Sequence, residues 1–379
     1  MSSKERLLVA MQNKKPDMVP VAPDISNMIP CKLTGKPFWD IYLYNDPPLG
    51  YAYLEAVKKF KFDGWDCGYV GLGPSKYDKK EFKQEIISKT DEKIVVKETF
   101  KTSDGDLWQE IIFRPDYTPV VTKPLIKKIP DDFKIYIKYF FPDPAGSDDN
   151  EFQKWKKAVG DDGIVTCGSA YYPGFQMLVD MFDGHLEQIT YAYYDYPELF
   201  DEYRDVCDDY IVKLTKRMIE TKPDYIMLGA SGTITLQSPE LFRKFGLPTL
   251  KKVTKLAKEA GLPSLVHSCG KEKELVKICA EETDLSCINP LEIPPMGDCD
   301  LKELKEKYGS KIALMGNLHT TEVMLKGTVK DVENAAKKAI DHAGKDGGFI
   351  LSTGDQCGRD TPEENIYKLV EVARSYGKY

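Results

Sequence analysis

The feature that most constrains this chain is a rhythm that starts near residue 160. Short apolar runs of strand type recur at GIVTCGS, YIMLGAS, SLVHSCG, LSCINP, KIALMGN and GFILSTGD. Amphipathic helical stretches such as PTLKKVTKLAKEAG and VENAAKKAIDHAG separate them. Strands alternating with helices need crossover connections, and crossovers make a parallel sheet covered by its helices. Two earlier runs, in DMVPVAPDIS and around Gly64 to Val70, raise the units from six to eight. No glycine-rich dinucleotide turn follows the first run. Together these predict an α/β fold of the (β/α)8 TIM-barrel type rather than a doubly wound sheet. A length of 379 residues suits one such domain, 1–379.

After the second strand the pattern changes. KIVVKETFKTSDGDLWQEIIFRP alternates on either side of Ser103-Asp104-Gly105, which is a hairpin signal. Residues from about 75 to 160 therefore read as an insertion: a β-hairpin, then a Pro- and Asp-rich connection with short helices.

Charge and apolar patterning narrow the partners. The formal net charge is −7 with no long basic tract, which argues against nucleic acid. No apolar run approaches the roughly 20 residues of a membrane span. The opening MSSKERLLVAMQNKKPD contains acidic residues and no signal-peptide core. Nine cysteines, an odd number without framework spacing, read as reduced thiols. The expectation is a cytoplasmic protein with neither nucleic-acid nor membrane partners.

Each late strand breaks into small or polar residues: Gly168-Ser169, Gly229-Ala230-Ser231, His267-Ser268-Cys269, Asn289-Pro290, Gly316-Asn317 and Gly354-Asp355. In a barrel these ends share one rim, where active sites are built. His267 and Cys269 sit at one end, and Cys357 lies just past another. Residues at i and i+2 around a strand end point into one site if Ser268 points away. A His-X-Cys pair with a remote Cys supplies ligands that zinc prefers. Gly270 and Gly358 allow sharp exits. Thr361 and Glu364 form a capping-box pattern with Pro362 at the first helical position. Glu292, between two prolines in NPLEIPP, is a candidate fourth ligand, with Cys299 and His319 as competitors. Cys279 and Cys287 read instead as core thiols, one in an amphipathic helix and one inside a strand. Asp24, Asn317, His319 and Asp355 are further rim candidates for substrate binding or for orienting the ligands.

KERLLVAMQNKKPDMVPV, HSCG, ALMGNL and GGFILSTGDQC…TPEENIYKLVEVAR resemble the uroporphyrinogen-decarboxylase-like superfamily, most clearly over the last 160 residues. The resemblance implies a (β/α)8 barrel. True uroporphyrinogen decarboxylases carry an arginine-rich N-terminal segment with a Gln-Ala-Gly-Arg motif that holds substrate carboxylates. This chain has APDISNMIPCKLTGKPFWD there, without arginine, so those clamps are missing. The other branch, the corrinoid-dependent methyltransferases, binds zinc through H-X-C and a distant Cys, the pattern of His267, Cys269 and Cys357. Glu292 falls where some of these enzymes place an acidic ligand.

That branch implies methyl transfer between a small molecule and the cobalt of a separate corrinoid protein. The chain lacks the histidine-based motif of a cobalamin-binding domain, so the corrinoid is expected on a partner protein docked over the rim. Zinc on an ether oxygen would stabilise a departing phenolate, and zinc on a thiol would hold a thiolate. Two thiolates and a carboxylate on zinc leave one net negative charge, which suits thiol alkylation. Without Glu292 the site is neutral and suits an oxygen leaving group. The aromatic loop SAYYPGFQM, with Tyr171, Tyr172 and Phe175, could flank a methoxylated ring. The expectation is therefore O-demethylation of a methoxylated aromatic by cobalt(I). A methylcobamide:thiol transferase, a uroporphyrinogen decarboxylase and a non-catalytic zinc-stabilised scaffold stand as alternatives.

Overall fold

Hydrogen bonding turns the apolar runs into parallel strands whose ends lie side by side. The computed structural model describes residues 1–229 and 231–379; Ala230, part of one strand-end reading, lies outside the described residues. The strands are β1 (Gly64–Trp65), β2 (Glu81–Lys89), β3 (Ile94–Thr102), β4 (Gly105–Phe113), β5 (Val120–Lys123), β6 (Gly163–Ile164), β7 (Ile226–Gly229), β8 (Ser264–His267), β9 (Cys287–Asn289), β10 (Ala313–Leu318) and β11 (Phe349–Thr353). β7 to β11 form one five-stranded parallel sheet in sequence order, and β1 pairs with β6.

The run in DMVPVAPDIS makes only a parallel bridge from Val21 to Leu351. Pro20 and Pro23 lack N–H donors, so a longer ladder cannot form there. Single backbone bonds extend the ring on both sides. Asp63 N–H donates to Val21 O at 2.8 Å, and Asp224 N–H donates to Val165 O at 2.8 Å. A further parallel bridge joins Ala170 to Leu228.

Ala22, Trp65, Ile164, Tyr225, Met227, Leu265, Cys287, Ala313, Met315 and Ile350 form one buried cluster. Every strand segment of the ring, and residues immediately flanking it, contribute to this cluster, as inward-pointing residues of a packed barrel must. Leu7, Ala10 and Met11 of the helix Ser3–Met11 join the same cluster. The second, larger apolar cluster holds alternate strand residues such as Leu228, Val266, Ile288, Leu314 and Leu351 against the surrounding helices. These include Pro197–Glu220, Pro239–Glu259 and Val329–Ala343. Two open with proline in the first turn, and the third has a full capping box from Thr328 and Asp331. The predicted (β/α)8 architecture is the observed one. Cys279 and Cys287 are core thiols as expected. Among the described residues, no helix is long and apolar enough to cross a membrane.

The insertion is larger in strand content than the sequence suggests. The hairpin forms as read, with Thr102 opposite Gly105 and Ser103-Asp104 as its loop. Two more strands flank it, giving an antiparallel sheet in the order β2-β3-β4-β5. β2 is exposed along its entire length and β5 has four residues, so neither shows the alternation of a half-buried strand. The short helices are Asp131–Tyr139 and Asn150–Val159. The Thr361 capping box does not form: the last helix spans Glu363–Tyr376, Pro362 is its cap, and no side chain caps it. Thr361 is instead buried beside the Cys357 thiol.

Candidate metal centre

β8 ends at His267, and Ser268 still pairs with the neighbouring strand, its N–H donating to Asn289 O at 2.9 Å. The strand pleat therefore continues to Cys269. His267 Nε2 lies 3.1 Å from Cys269 Sγ, so the two side chains share one side. Trp65 lies below, its ring centroid 6.3 Å from that of His267. Gly270 turns the chain with φ +92°, a conformation that L side chains rarely adopt. Its N–H donates to the Glu292 carboxylate, which brings Glu292 to the rim.

Asp355 follows β11 and has φ +93°. Its Oδ1 lies 3.8 Å from His267 Nε2. Ligand atoms of His267, Cys269 and Asp355 lie within 4.8 Å of one another, the one such group among the described residues. Asp24 joins the first run to β11: its N–H donates to Thr353 Oγ1 at 2.9 Å, and its carbonyl accepts from Cys357 N–H at 2.8 Å. Ser231 Oγ lies 3.3 Å from Cys269 Sγ.

The electrostatics of this rim leave its acidic groups without a matching charge. Burial, and then the Asp355 carboxylate, push the Cys269 thiol well above its ordinary range. Burial pushes the Asp24 carboxyl up, His267 opposes that, and Asp355 adds to it. Burial also raises Glu292 against the Gly270 N–H. Among the described residues, no Lys or Arg forms an ion pair with Asp24, Glu292 or Asp355, while His267 Nδ1 is buried without a partner. Buried acids without a basic partner, as Asp24 and Glu292 are, either stay protonated or are matched by a cation. A tetrahedral zinc sets nitrogen and sulfur ligands roughly 3.5 Å apart. His267 Nε2 lies 3.1 Å from Cys269 Sγ and 3.8 Å from Asp355 Oδ1, so small side-chain shifts bring the three atoms to that N–S separation and the slightly shorter N–O one, and the residues fit such an ion.

The other candidates are dispersed. Cys357 is on the same loop as Asp355, but its thiol falls outside the 4.8 Å group. It is fully buried, and burial, then Asp24, push it up to about 12. Asn317 donates to Leu291 O at 3.1 Å. His319 Nδ1 accepts from Thr321 and Glu322 N–H at 3.1 and 3.2 Å, so it caps a short helical turn. Asn317, His319 and Cys299 line a cavity of about 280 Å³ whose lining does not include His267, Cys269 or Asp355.

In the aromatic loop, Tyr171 is 41% exposed, whereas Tyr172 and Phe175 are core residues. Tyr172 OH is 2.7 Å from Thr233 Oγ1 and its ring packs on Phe242. Phe175 packs among Tyr193, Phe200 and Phe245. The apolar demand of the surrounding helices keeps both rings in the core. Glu272, fully buried and accepting from Leu291 N–H, was not anticipated. In sequence it is one more charge in GKEKEL, with nothing to mark it as internal.

A (β/α)8 barrel with a His, a Cys and carboxylates gathered at its strand ends defines a class: barrel proteins with a metal-ready rim. The chain belongs to the uroporphyrinogen decarboxylase (URO-D) family, whose sequence profile matches residues 157–376. Over 173 residues it is 30% identical to the methylcobamide:CoM methyltransferase MtbA of Methanosarcina mazei, covering 45% of this chain and 48% of that protein. Over 179 residues it is 25% identical to the methylated-thiol–coenzyme M methyltransferase of the same organism, covering 47% and 45% of the two chains. The chain thus spans about half the length of the curated relatives it matches. A solved methyltransferase structure from Methanosarcina mazei matches 99% of both chains with a TM-score of 0.64 at 17% identity, a likeness of fold.

Proposed function

We propose that the chain is a zinc-dependent methyltransferase of a corrinoid system. Its methyl donor is the methylcobalt of a partner corrinoid protein, and its acceptor is a small thiol of the coenzyme M type. The observation that carries this reading is the His267–Cys269–Asp355 group on the barrel rim, within 4.8 Å. The similarity to methylcobamide:CoM methyltransferases supports it. His267 and Cys269 would hold the zinc, with Cys357 or Asp355 as the third ligand and Glu292 as a further nearby carboxylate. Zinc, when bound, holds a thiol as thiolate near neutral pH.

The chain's own groups then act on the substrate. His267 and Cys269 fix the reacting corner through the rigid end of β8. With a cation bound to offset burial, the carboxylates of Asp24, Glu292 and Asp355 would add negative charge to the rim, which favours a nucleophilic sulfur over a departing phenolate. In the reaction the sulfur forms a bond to the methyl carbon. The cobalt–carbon pair stays with cobalt, giving cobalt(I), and the thiol proton passes to solvent. The expected methoxylated aromatic donor gives way here because two of its three flanking rings are core residues.

The test supplies methylcobalamin with a panel of thiols, and cob(I)alamin with methoxyarenes, and follows the cobalt spectrum. Thiol-dependent loss of methylcobalamin is expected. A methylcobalt signal from methoxyarenes, with thiols inert, would return the reading to O-demethylation.

A further inference from the structure

β2 is the outermost strand of the insertion sheet, so one of its edges is unpaired. All nine residues are exposed. Phe82 and Ile86, 54% and 49% exposed, point to the same face as their β3 partners Phe100 and Val96. The Phe82 ring lies 5.3 Å from that of Phe100, which lies 5.1 Å from that of Phe140. An apolar row therefore runs outward to the sheet edge and stops in solvent. On the opposite face Lys83 Nζ lies 2.9 Å from Glu85 of the same strand, both about half exposed.

An open edge with an apolar row is a template for another strand. The sequence of β2 selects which strand. Read antiparallel about Gln84, Phe82 stands opposite Ile86 and Lys83 opposite Glu85, each twice by symmetry. A slip of two residues one way opposes Lys83 to itself and Glu81 to Glu85. A slip of two the other way opposes Glu85 to itself. A slip of one residue sets the apolar face of one copy beside the charged face of the other. The irregularity that follows Ile86 lies outside the paired centre.

We propose that β2 pairs with β2 of a second copy of this chain, about a two-fold axis at Gln84, joining the two insertion sheets into one. Backbone pairing and cover for Phe82 and Ile86 drive the association. The Lys83–Glu85 pair is exchanged for two identical pairs between copies, so charge sets the register. The assignment is independent of the proposed chemistry.

Sedimentation equilibrium of the full chain tests it. A dimer is expected. Lys83→Glu and Glu85→Lys should each weaken its Kd by about tenfold or more, because each opposes like charges twice. The double variant K83E/E85K should recover the dimer, and Ile86→Lys should be monomeric. These positions are exposed, and circular dichroism checks that the variants fold. A monomeric parent chain at its highest soluble concentration, or a dimer indifferent to the single reversals, overturns the proposal. A double variant that stays monomeric overturns the Gln84 register.

Discussion

At the scale of single residues, the rim gathers donors that could hold one metal ion. About one zinc per chain is expected, and His267→Ala and Cys269→Ser should each abolish it while far-UV circular dichroism stays unchanged. Cys357 and Asp355 compete for the third position. A thiolate is the softer ligand. Cys357→Ser should therefore empty the site, while Asp355→Asn should lower zinc affinity about 10–100-fold as an outer partner. Metal analysis of both separates them: metal lost only from Asp355→Asn would make the carboxylate the ligand. His267 and Cys269 were legible because a strand's period of two puts i and i+2 on one side. The approach of Asp355 to His267 was not, since it depends on a left-handed backbone at a non-glycine residue. Nor could sequence separate exposed Tyr171 from buried Tyr172 and Phe175, because adjacent aromatic residues carry the same apolar signal in a loop as in a core.

At the scale of elements, a strand as short as β1 is held by a polar group at its end that is satisfied from elsewhere. β1 has only two residues, yet Asp66 just beyond it is fully engaged. Its Oδ1 accepts from Gly68 and Tyr69 N–H at 2.8 and 3.0 Å, and its Oδ2 from Trp155 Nε1–H and Thr166 N–H at 3.2 and 3.3 Å. All four partners are donors, so Asp66→Asn would aim an amide N–H₂ at N–H groups. A loss of about 2–4 kcal/mol is expected from a pair of buried donors left unmet. Chemical denaturation measures it, and a cost below about 0.5 kcal/mol would show that Asp66 does not join β1, β6 and the Asn150–Val159 helix. Element type was readable wherever apolar periodicity was strong, as in β7 to β11. β2 went unread because an edge strand exposed on both faces has no alternating pattern to detect.

At the scale of the whole molecule, the two ends of the described chain meet at one buried carboxylate. Asp63 accepts from Arg6 at 2.7 Å and from Arg374 at 2.9 and 3.0 Å. Arg6 also binds Asp17 at 2.8 Å. Burial raises Asp17, but hydrogen bonds from Arg6 and the terminal ammonium outweigh it and lower it to about 2. A lowered carboxyl stabilises above its unfolded value and loses that contribution as pH falls toward the folded one. Thermal melts should therefore lose stability between about pH 4 and pH 2, and Asp17→Asn should lose less over that window. We propose that 1–379 is one domain with its insertion at about 75–160, and this clasp supports that reading. The same scale decides the last prediction. A porphyrinogen with many carboxylates needs cationic clamps. Residues 22–40 contain no arginine, and their helices Met28–Leu33 and Phe38–Tyr42 bury Cys31, Phe38 and Ile41 in a small apolar cluster. The lysines there, Lys32 and Lys36, are already paired with Asp360 and Asp46. Across the rim stand Asp24, Glu292 and Asp355, acidic groups that offer a polyanion no cationic partner. Uroporphyrinogen is therefore expected to be left unchanged by this protein. Chromatographic assay of its decarboxylation products tests this, and turnover at an enzymatic rate would require carboxylate clamps built from residues other than arginine in this segment.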